Sequence, residues 1–286
     1  SSLIGVRDPY GIRPLVIGKL GNSYVLASET CALDIIGAKF VRDVENGEIV
    51  LIENNELVSI KPFPPKKVRP CVFEYIYFAR PDSIIGGKCA YEYRKNLGEE
   101  MAKETDIKAD MIVPVPDSGV PAALGFAEQS GKKFELGLIR NHYVGRTFIQ
   151  PDQKLRELSV HMKLNVLKEN VHGKRIVMID DSIVRGTTCQ QIIQMARDAG
   201  AAKVYFASAA PAVRHPNVYG IDMPSATELI AHGRTDDEVG ELIGADWIVY
   251  QDLQDLIDAG TEGNDSIKRF ECSVFDGQYV TGDVDK

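Results

Sequence analysis

The sequence has few cysteines, and their placement argues against a disulfide framework. The 286 residues include five cysteines, no two of which form a Cys-x-x-Cys pair: Cys31, Cys71, Cys89, Cys189 and Cys272. An odd number of widely spaced cysteines is typical of a protein kept in a reducing compartment. We therefore expect a cytoplasmic protein without structural disulfide bonds.

Long apolar runs and an excess of positive charge are also absent. No stretch of 18 apolar residues occurs, and residues 1–5 lack the pattern of a signal peptide, so the sequence predicts no membrane association. The 33 lysines and arginines are outnumbered by 41 aspartates and glutamates, which gives a formal net charge of −8. This balance argues against nucleic acid or an anionic membrane as a partner. A small phosphorylated ligand remains compatible, because a few backbone amides and one cation can hold it locally.

The first 62 residues have the pattern of a β-rich unit. Apolar stretches at 14–19 and 23–27 flank a Leu-Gly-Asn turn, and stretches at 47–52 and 56–60 repeat this arrangement. The proline-rich segment 61–67 is typical of a linker, because proline stiffens the chain and removes strand donors. We place a domain boundary there, between residues 1–65 and residues 66–286.

After residue 71 the pattern changes to alternating strands and helices. The predicted elements are helix 91–104, strand 111–116, helix 122–129, strand 134–139, strand 174–180, helix 188–199 and strand 203–209. Strands that are apolar throughout and alternate with helices indicate an α/β fold with a parallel sheet covered by helices on both faces. Four aromatic residues ahead of this region are interpreted as core residues of a further strand: Phe73, Tyr75, Tyr77 and Phe78.

The strongest chemical signal lies between Ile176 and Thr188. A buried strand ends in Asp180 and Asp181, and a loop with Gly186 leads into a helix. Ligands of open α/β sheets bind at the carboxyl ends of the strands, so this is the expected place for a site. Successive backbone N–H groups of such a loop can bind a phosphate. The paired carboxylates can accept hydrogen bonds from ribose hydroxyls, directly or through Mg²⁺.

This stretch resembles the signature with which type I phosphoribosyltransferases bind phosphoribosyl pyrophosphate (PRPP). The resemblance implies that the following residues contact PRPP: Asp180, Asp181, Ser182, Val184, Arg185, Gly186, Thr187 and Thr188. Four further segments resemble the glutamine amidophosphoribosyltransferase family, namely 71–83, 140–148, 219–224 and 7–15, the last of these in its glutaminase half. Residues 1–65 are accordingly expected to be the remnant of an N-terminal-nucleophile glutaminase domain, in a chain cut at both ends.

The family resemblance assigns roles to residues outside the main signature. It implies that Asp117 and Ser118 hold pyrophosphate and that Ser118 approaches a Mg²⁺ ion bound by Asp180 and Asp181. Without the family, Pro-Asp-Ser-Gly at 116–119 is an ordinary turn. Arg146 would neutralise the departing pyrophosphate. Tyr77 and Tyr143 would line a passage for ammonia.

Some family members hold an iron–sulfur cluster on four cysteines. In this sequence Cys71 and Cys272 occupy two of the matching positions, whereas Asn217 and Phe275 occupy the other two. Because such clusters are held by cysteine thiolates and two are missing, we predict no cluster.

The resemblance implies the first committed step of purine synthesis, in which ammonia from glutamine and PRPP give 5-phosphoribosylamine and pyrophosphate. We expect a chain without the upstream glutaminase residues to use free ammonia only. The family also implies feedback inhibition by purine nucleotides and a homotetramer. Two alternatives are a regulator that binds PRPP without turnover and a phosphoribosyltransferase that uses a purine base. Neither a helix-turn-helix signal nor an aromatic base-stacking hood is identifiable in the sequence.

Overall fold

The computed structural model describes residues 2–64, 66–143, 163–221, 223, 225–262, 267–282 and 284. The chain divides into two compact units. The first comprises residues 1–93, 257–273 and 278–286, and the second comprises residues 94–256 and 274–277. The functional boundary that the sequence suggests between residues 65 and 66 stays a prediction.

The first unit contains two antiparallel three-stranded sheets. Its elements are β1 (Leu3–Val6), β2 (Val16–Leu20), β3 (Ser23–Ala27), α1 (Thr30–Ile35), β4 (Lys39–Asp43), β5 (Ile49–Glu53), β6 (Glu56–Ile60), β7 (Ile84–Ile85) and β8 (Lys88–Cys89). One sheet has the order β3-β2-β4 and the other β1-β5-β6, so both predicted hairpins are confirmed. Asn54 and Asn55 have φ angles of 51° and 63°, as a two-residue hairpin turn requires.

A buried carboxylate ties the two sheets of the first unit together. Glu48 has no exposed surface and accepts hydrogen bonds from both terminal nitrogens of Arg42 at 2.8 and 2.7 Å. The Ser59 hydroxyl and the Glu45 backbone N–H also donate to it, each at 2.6 Å. These donors, Arg42 first, lower the pKa of Glu48 to about 2 despite its burial.

The aromatic segment ahead of the second unit is a helical turn, which corrects the predicted strand. Residues Glu74–Phe78 form a single π-helical turn. Phe73 and Tyr75 are buried, whereas Tyr77 and Phe78 are 36% and 38% exposed. The turn places Glu74 and Phe78 on one face. There the Arg13 guanidinium lies 3.0 Å from the Glu74 carboxylate and 5.0 Å from the centre of the Phe78 ring.

The second unit is an α/β structure around a five-stranded parallel sheet of order β10-β9-β13-β14-β15. The strands of the second unit are β9 (Met111–Pro114), β10 (Lys133–Phe134), β11 (Leu138–Arg140), β12 (Leu164–Val166), β13 (Arg175–Asp180), β14 (Lys203–Ser208) and β15 (Trp247–Tyr250). The helices along the rest of the chain are α2 (Ala90–Glu104), α3 (Val120–Ser130), α4 (Lys168–Val171), α5 (Thr187–Asp198), α6 (Asp236–Ile243), α7 (Leu253–Thr261) and α8 (Ser273–Asp276). The α/β fold class with a parallel sheet is therefore confirmed.

Helices cover both faces of the central strand, which explains why the four inner positions of β13 are apolar. Ile176 and Met178 pack on one side with Ile192 of α5. Val177 and Ile179 pack on the other side with residues of α3, including Phe126. All four β13 side chains are completely buried. The sheet is thus a rigid platform for the loops at its carboxyl edge. Across the described part of the chain, no helix is long and apolar enough to cross a membrane.

Candidate functional site

Two loops meet at the carboxyl edge of the parallel sheet. Ile179 of β13 pairs with Pro114 of β9, and the Val115 N–H donates to the Ile179 carbonyl at 2.8 Å. The first loop, 115–119, leads into α3, and the second, 181–186, leads into α5. A Cβ atom on Gly119 would lie 2.2 Å from the Ile179 oxygen. Glycine is therefore required for the two loops to approach this closely.

The acid pair joins these two loops. Asp180 and Asp181 are 9% and 8% exposed, and the Asp181 N–H donates to the Asp180 carboxylate at 2.9 Å. Asp181 accepts a hydrogen bond from the Ser182 hydroxyl at 2.6 Å and another from the Ser118 hydroxyl. The structure therefore brings Ser118 to the acid pair, and its predicted role in binding pyrophosphate and metal stays a prediction.

The electrostatics of the pair favour binding of a positive charge. Burial raises the pKa of Asp180 well above its usual value, and the neighbouring Asp181 charge raises it further. Burial also raises the pKa of Asp181, opposed by hydrogen bonds from Ser118 and Ser182 and by the Arg94 guanidinium. Arg94 lies on α2 and is only 3% exposed. Two adjacent buried carboxylates are costly to ionise together, and a cation or hydroxyl donors would relieve that cost.

The second loop ends in the amino terminus of α5. Gly186 has a φ of 77° and precedes the helix, whose first turn receives no side-chain cap. Thr187 and Thr188 are exposed there. The first N–H groups of a helix have no partner within the helix, and its dipole favours an anion at this end. The start of this 12-residue helix can therefore hold a phosphate.

Contacts with the 3₁₀ turn Ala226–Glu228, later in the chain, and with the residues after it fix the second loop. The Ile230 N–H donates to the Val184 carbonyl at 2.9 Å, and Arg185 Nε lies 3.1 Å from a Glu228 carboxylate oxygen. A Cβ atom on Gly186 would lie 2.2 Å from Ile230 Cδ1. The loop conformation therefore depends on glycine at position 186.

Asp117 lies at the exposed end of the first loop and forms an ion pair with Arg140 of β11. The peptide bond between Pro116 and Asp117 is cis. Sequence reasoning did not identify Arg94, Arg140 or Glu228. They are distant in the sequence from the loops they interact with, and although Arg140 opens the segment 140–148, no local pattern marks any of the three as a partner of these loops.

The remaining predicted site residues are Tyr77, Tyr143 and Arg146. Tyr143 is fully exposed, and its N–H donates to Asn141 Oδ1 at 3.1 Å. Tyr77 belongs to the first unit and is about one-third exposed. Arg146 lies outside the described residues. The ammonia passage and the role of Arg146 stay predictions.

The positions matching the iron–sulfur ligands have other roles in this structure. Cys71 and Cys272 are buried free thiols, and burial raises the pKa of Cys71 to about 12. Asn217 Oδ1 accepts hydrogen bonds from the N–H groups of Tyr219 and Ile221, at 2.8 and 3.1 Å, and so shapes a turn. Absence of a cluster stays a prediction.

The parallel sheet, the buried acid pair and the glycine-threonine loop at its carboxyl edge define a phosphoribosyltransferase fold of type I. A comparison with models of protein families finds no match. The amidophosphoribosyltransferases of Pseudomonas aeruginosa and Escherichia coli are each 52% identical to the chain over 99% of its length. The chain belongs to the amidophosphoribosyltransferase family.

Solved structures agree with this assignment. A glutamine PRPP amidotransferase from Bacillus subtilis, complexed with ADP and GMP, matches 98% of the chain with a TM-score of 0.88 and 44% identity. A structure described as the allosteric regulatory enzyme of purine biosynthesis matches equally well, at 45% identity. The chain spans 59% and 58% of the length of the two curated relatives and 62% and 60% of these two structures.

Proposed function

We propose that this chain carries the phosphoribosyl-transfer step of an amidophosphoribosyltransferase, the first committed step of purine synthesis. Ammonia replaces pyrophosphate on C1 of the PRPP ribose and gives 5-phosphoribosylamine. The observation that carries the proposal is the hydrogen bond from Ser118 to the buried Asp181. It joins two sheet-edge loops beside a helix amino terminus that suits a phosphate.

Each part of PRPP has a matching group at this edge. The 5-phosphate fits the N–H groups of residues 185–188, at the positive end of the dipole of α5. The ribose hydroxyls would donate to Asp180 and Asp181, with Ser182 and Val184 completing the loop. The pyrophosphate would lie at the first loop, 116–119, near Arg140. Arg146 would neutralise the leaving group.

The donor set at this edge fits a Mg²⁺ ion. Two carboxylates and a hydroxyl, from Asp180, Asp181 and Ser118, are hard oxygen ligands, and Mg²⁺ usually completes its shell with water and substrate phosphates. No cluster of three or more acidic, histidine or cysteine ligands occurs among residues that the structure describes. When bound, the ion would neutralise charge on the pyrophosphate.

The protein groups need only bind, orient and stabilise. The nitrogen lone pair of ammonia forms a bond to C1, and the C1–oxygen bond breaks, with its electron pair leaving on pyrophosphate. The resulting ammonium group then loses one proton to water. The carboxylates of Asp180 and Asp181 stabilise the positive charge that develops on the ribose. Holding PRPP in a fixed geometry supplies a further part of the rate enhancement.

The family resemblance assigns further parts of the activity to other residues. Residues 1–65 would belong to a glutaminase domain that releases ammonia from glutamine, and Tyr77 and Tyr143 would line its passage. The related Bacillus subtilis structure contains ADP and GMP, which supports purine nucleotides as inhibitors. A homotetramer and a cytoplasmic location follow from the family alone.

Pyrophosphate release from PRPP and Mg²⁺ tests the proposal. We expect turnover with ammonium chloride that rises with the NH₃ fraction at alkaline pH. Asp180→Asn/Asp181→Asn should lower the rate by roughly 100-fold or more, since removing one transition-state contact costs about that much. The exposed Asp198→Asn is the matched control. A wild-type chain that binds PRPP but releases no pyrophosphate with ammonia would contradict the proposal and favour a regulator.

A further inference from the structure

A carboxylate from a later segment of the second unit holds the arginine of the second loop. Arg185 Nε donates to Glu228 Oε2 at 3.1 Å, and the Ser225 hydroxyl donates to the other oxygen of this carboxylate at 3.4 Å. The Glu228 N–H donates to the Ser225 carbonyl at 2.9 Å, which closes the 3₁₀ turn. The carboxylate of Glu228 thus has a donor on each oxygen and a fixed backbone beneath it.

Backbone contacts keep Glu228 beside Arg185 independently of the ion pair. The Ile230 N–H donates to the Val184 carbonyl at 2.9 Å. Ile230 is 8% exposed, and a Cβ atom on Gly186 would lie 2.2 Å from its Cδ1. Because Val184 and Gly186 flank Arg185 in the chain, the Glu228 carboxylate would remain near Arg185 if the ion pair opened.

The charge of Arg185 is important because the loop has no other cation. Arg185 is the only lysine or arginine between Asp181 and Thr188. The side chains of Arg185 and Glu228 are 44% and 52% exposed. Ion pairs exposed to this extent contribute little, whereas a guanidinium binds phosphate through charge-assisted hydrogen bonds. A phosphate at the start of α5 can therefore draw Arg185 away from Glu228.

We propose that Glu228 is a positioning residue that competes with the substrate's phosphate for Arg185 and so weakens phosphate binding at this sheet edge. The inference rests on the proposed function, which places the 5-phosphate of PRPP at residues 185–188. In the phosphate-free chain, Glu228 holds the guanidinium. When phosphate binds, Arg185 exchanges the carboxylate for phosphate oxygens, and the remaining charge of Glu228 favours release of the anion.

Calorimetric titration of the 286-residue chain with ribose 5-phosphate, and separately with PRPP and Mg²⁺, tests the proposal. Glu228→Gln should bind both ligands about two- to fivefold more tightly than the wild type, which is the range of an exposed ion pair. An equal gain for ribose 5-phosphate, which has no pyrophosphate, locates the effect at the 5-phosphate. The matched control is Glu241→Gln, an exposed glutamate of α6, which should bind as the wild type does.

A second pair of variants tests whether Glu228 acts through the arginine. In an Arg185→Gln background, Glu228→Gln should lose most of its effect on ribose 5-phosphate affinity, because no guanidinium is left to release. The same gain in both backgrounds would overturn the proposal.

Thermal unfolding scans accompany the titrations. Glu228→Gln should unfold close to the wild-type temperature, and Glu228→Ala replaces it if the glutamine variant does not fold. A gain in affinity is the decisive result, since an ion pair that merely supports the loop predicts weaker binding once it is removed. Unchanged or weaker binding by a folded Glu228→Gln would overturn the inference, as would a wild type that binds neither ligand. A wild type that binds PRPP without releasing pyrophosphate in the presence of ammonia would contradict the proposed function alone, and the comparison with Glu228→Gln would still decide the role of Glu228.

Discussion

Alanine at position 186 would meet two separate penalties in this structure. The φ of 77° is a left-handed conformation, which costs a residue with a Cβ atom about 1–2 kcal/mol. The new Cβ would also lie 2.2 Å from Ile230 Cδ1, and Ile230 is only 8% exposed. Overpacking of this kind costs about 1–3 kcal/mol. We expect Gly186→Ala to destabilise the fold by about 2–5 kcal/mol.

Two further variants separate the two penalties. Gly131 has a similar φ of 66°, and its Cβ would meet nothing within 4 Å, so Gly131→Ala should cost only the backbone term, about 1–2 kcal/mol. Ile230→Val removes Cδ1, the clashing atom. In the Ile230→Val background, Gly186→Ala should therefore cost no more than Gly131→Ala does.

The assay is urea unfolding followed by circular dichroism. The free energy of unfolding is compared between the wild type and the four variants, namely Gly186→Ala, Gly131→Ala, Ile230→Val and the combination of Gly186→Ala with Ile230→Val. The comparison requires that the free energy of each depends equally steeply on urea concentration. A coupling energy of about 1–3 kcal/mol between positions 186 and 230 is expected from the cycle. Equal costs of Gly186→Ala and Gly131→Ala, or no relief from Ile230→Val, would refute the reasoning that the loop is held by this contact.

Three other predictions concern stability and thiol reactivity. Glu48 has a pKa of about 2, below its unfolded value, so it stabilises the fold above about pH 4.5 by about 3 kcal/mol and loses this as pH falls toward 2. In urea titrations, the difference in free energy of unfolding between the wild type and Glu48→Gln should therefore shrink as the pH is lowered from about 4.5 toward 2. Thr235→Ala should cost about 1 kcal/mol, because Thr235 and Glu238 form a capping box, whereas Thr227→Ala should cost less. Iodoacetamide at pH 8 should label the half-exposed Cys89 first in the folded chain, and Cys71 only after unfolding; rapid labelling of Cys71 would contradict its burial.

The sequence predicts those parts of the structure whose signals are local. The apolar run before Asp180 indicates a strand buried on both faces, and the glycine and threonines after it indicate a loop and a helix start. Both are where the pattern places them. Paired apolar stretches around short turns likewise predict the two hairpins of the first unit.

The features that the sequence does not predict depend on contacts between distant segments. Residues 73–78 have the aromatic content of a strand, yet they form a helical turn in which Glu74 and Phe78 both contact Arg13. Arg94 reaches Asp181 from a helix 87 positions earlier in the numbering, and nothing in the local sequence marks it.

The most direct test of the account is a calorimetric titration of PRPP with Mg²⁺ into the wild-type chain, Asp180→Asn/Asp181→Asn and Asp198→Asn. The double variant exchanges two buried carboxyls for neutral amides of nearly the same shape, so it should fold. The account predicts one PRPP site in the wild type and in Asp198→Asn, with binding weakened at least tenfold in the double variant. Equal PRPP binding by all three chains, or none by a folded wild type, would contradict a PRPP site at the edge formed by the two loops.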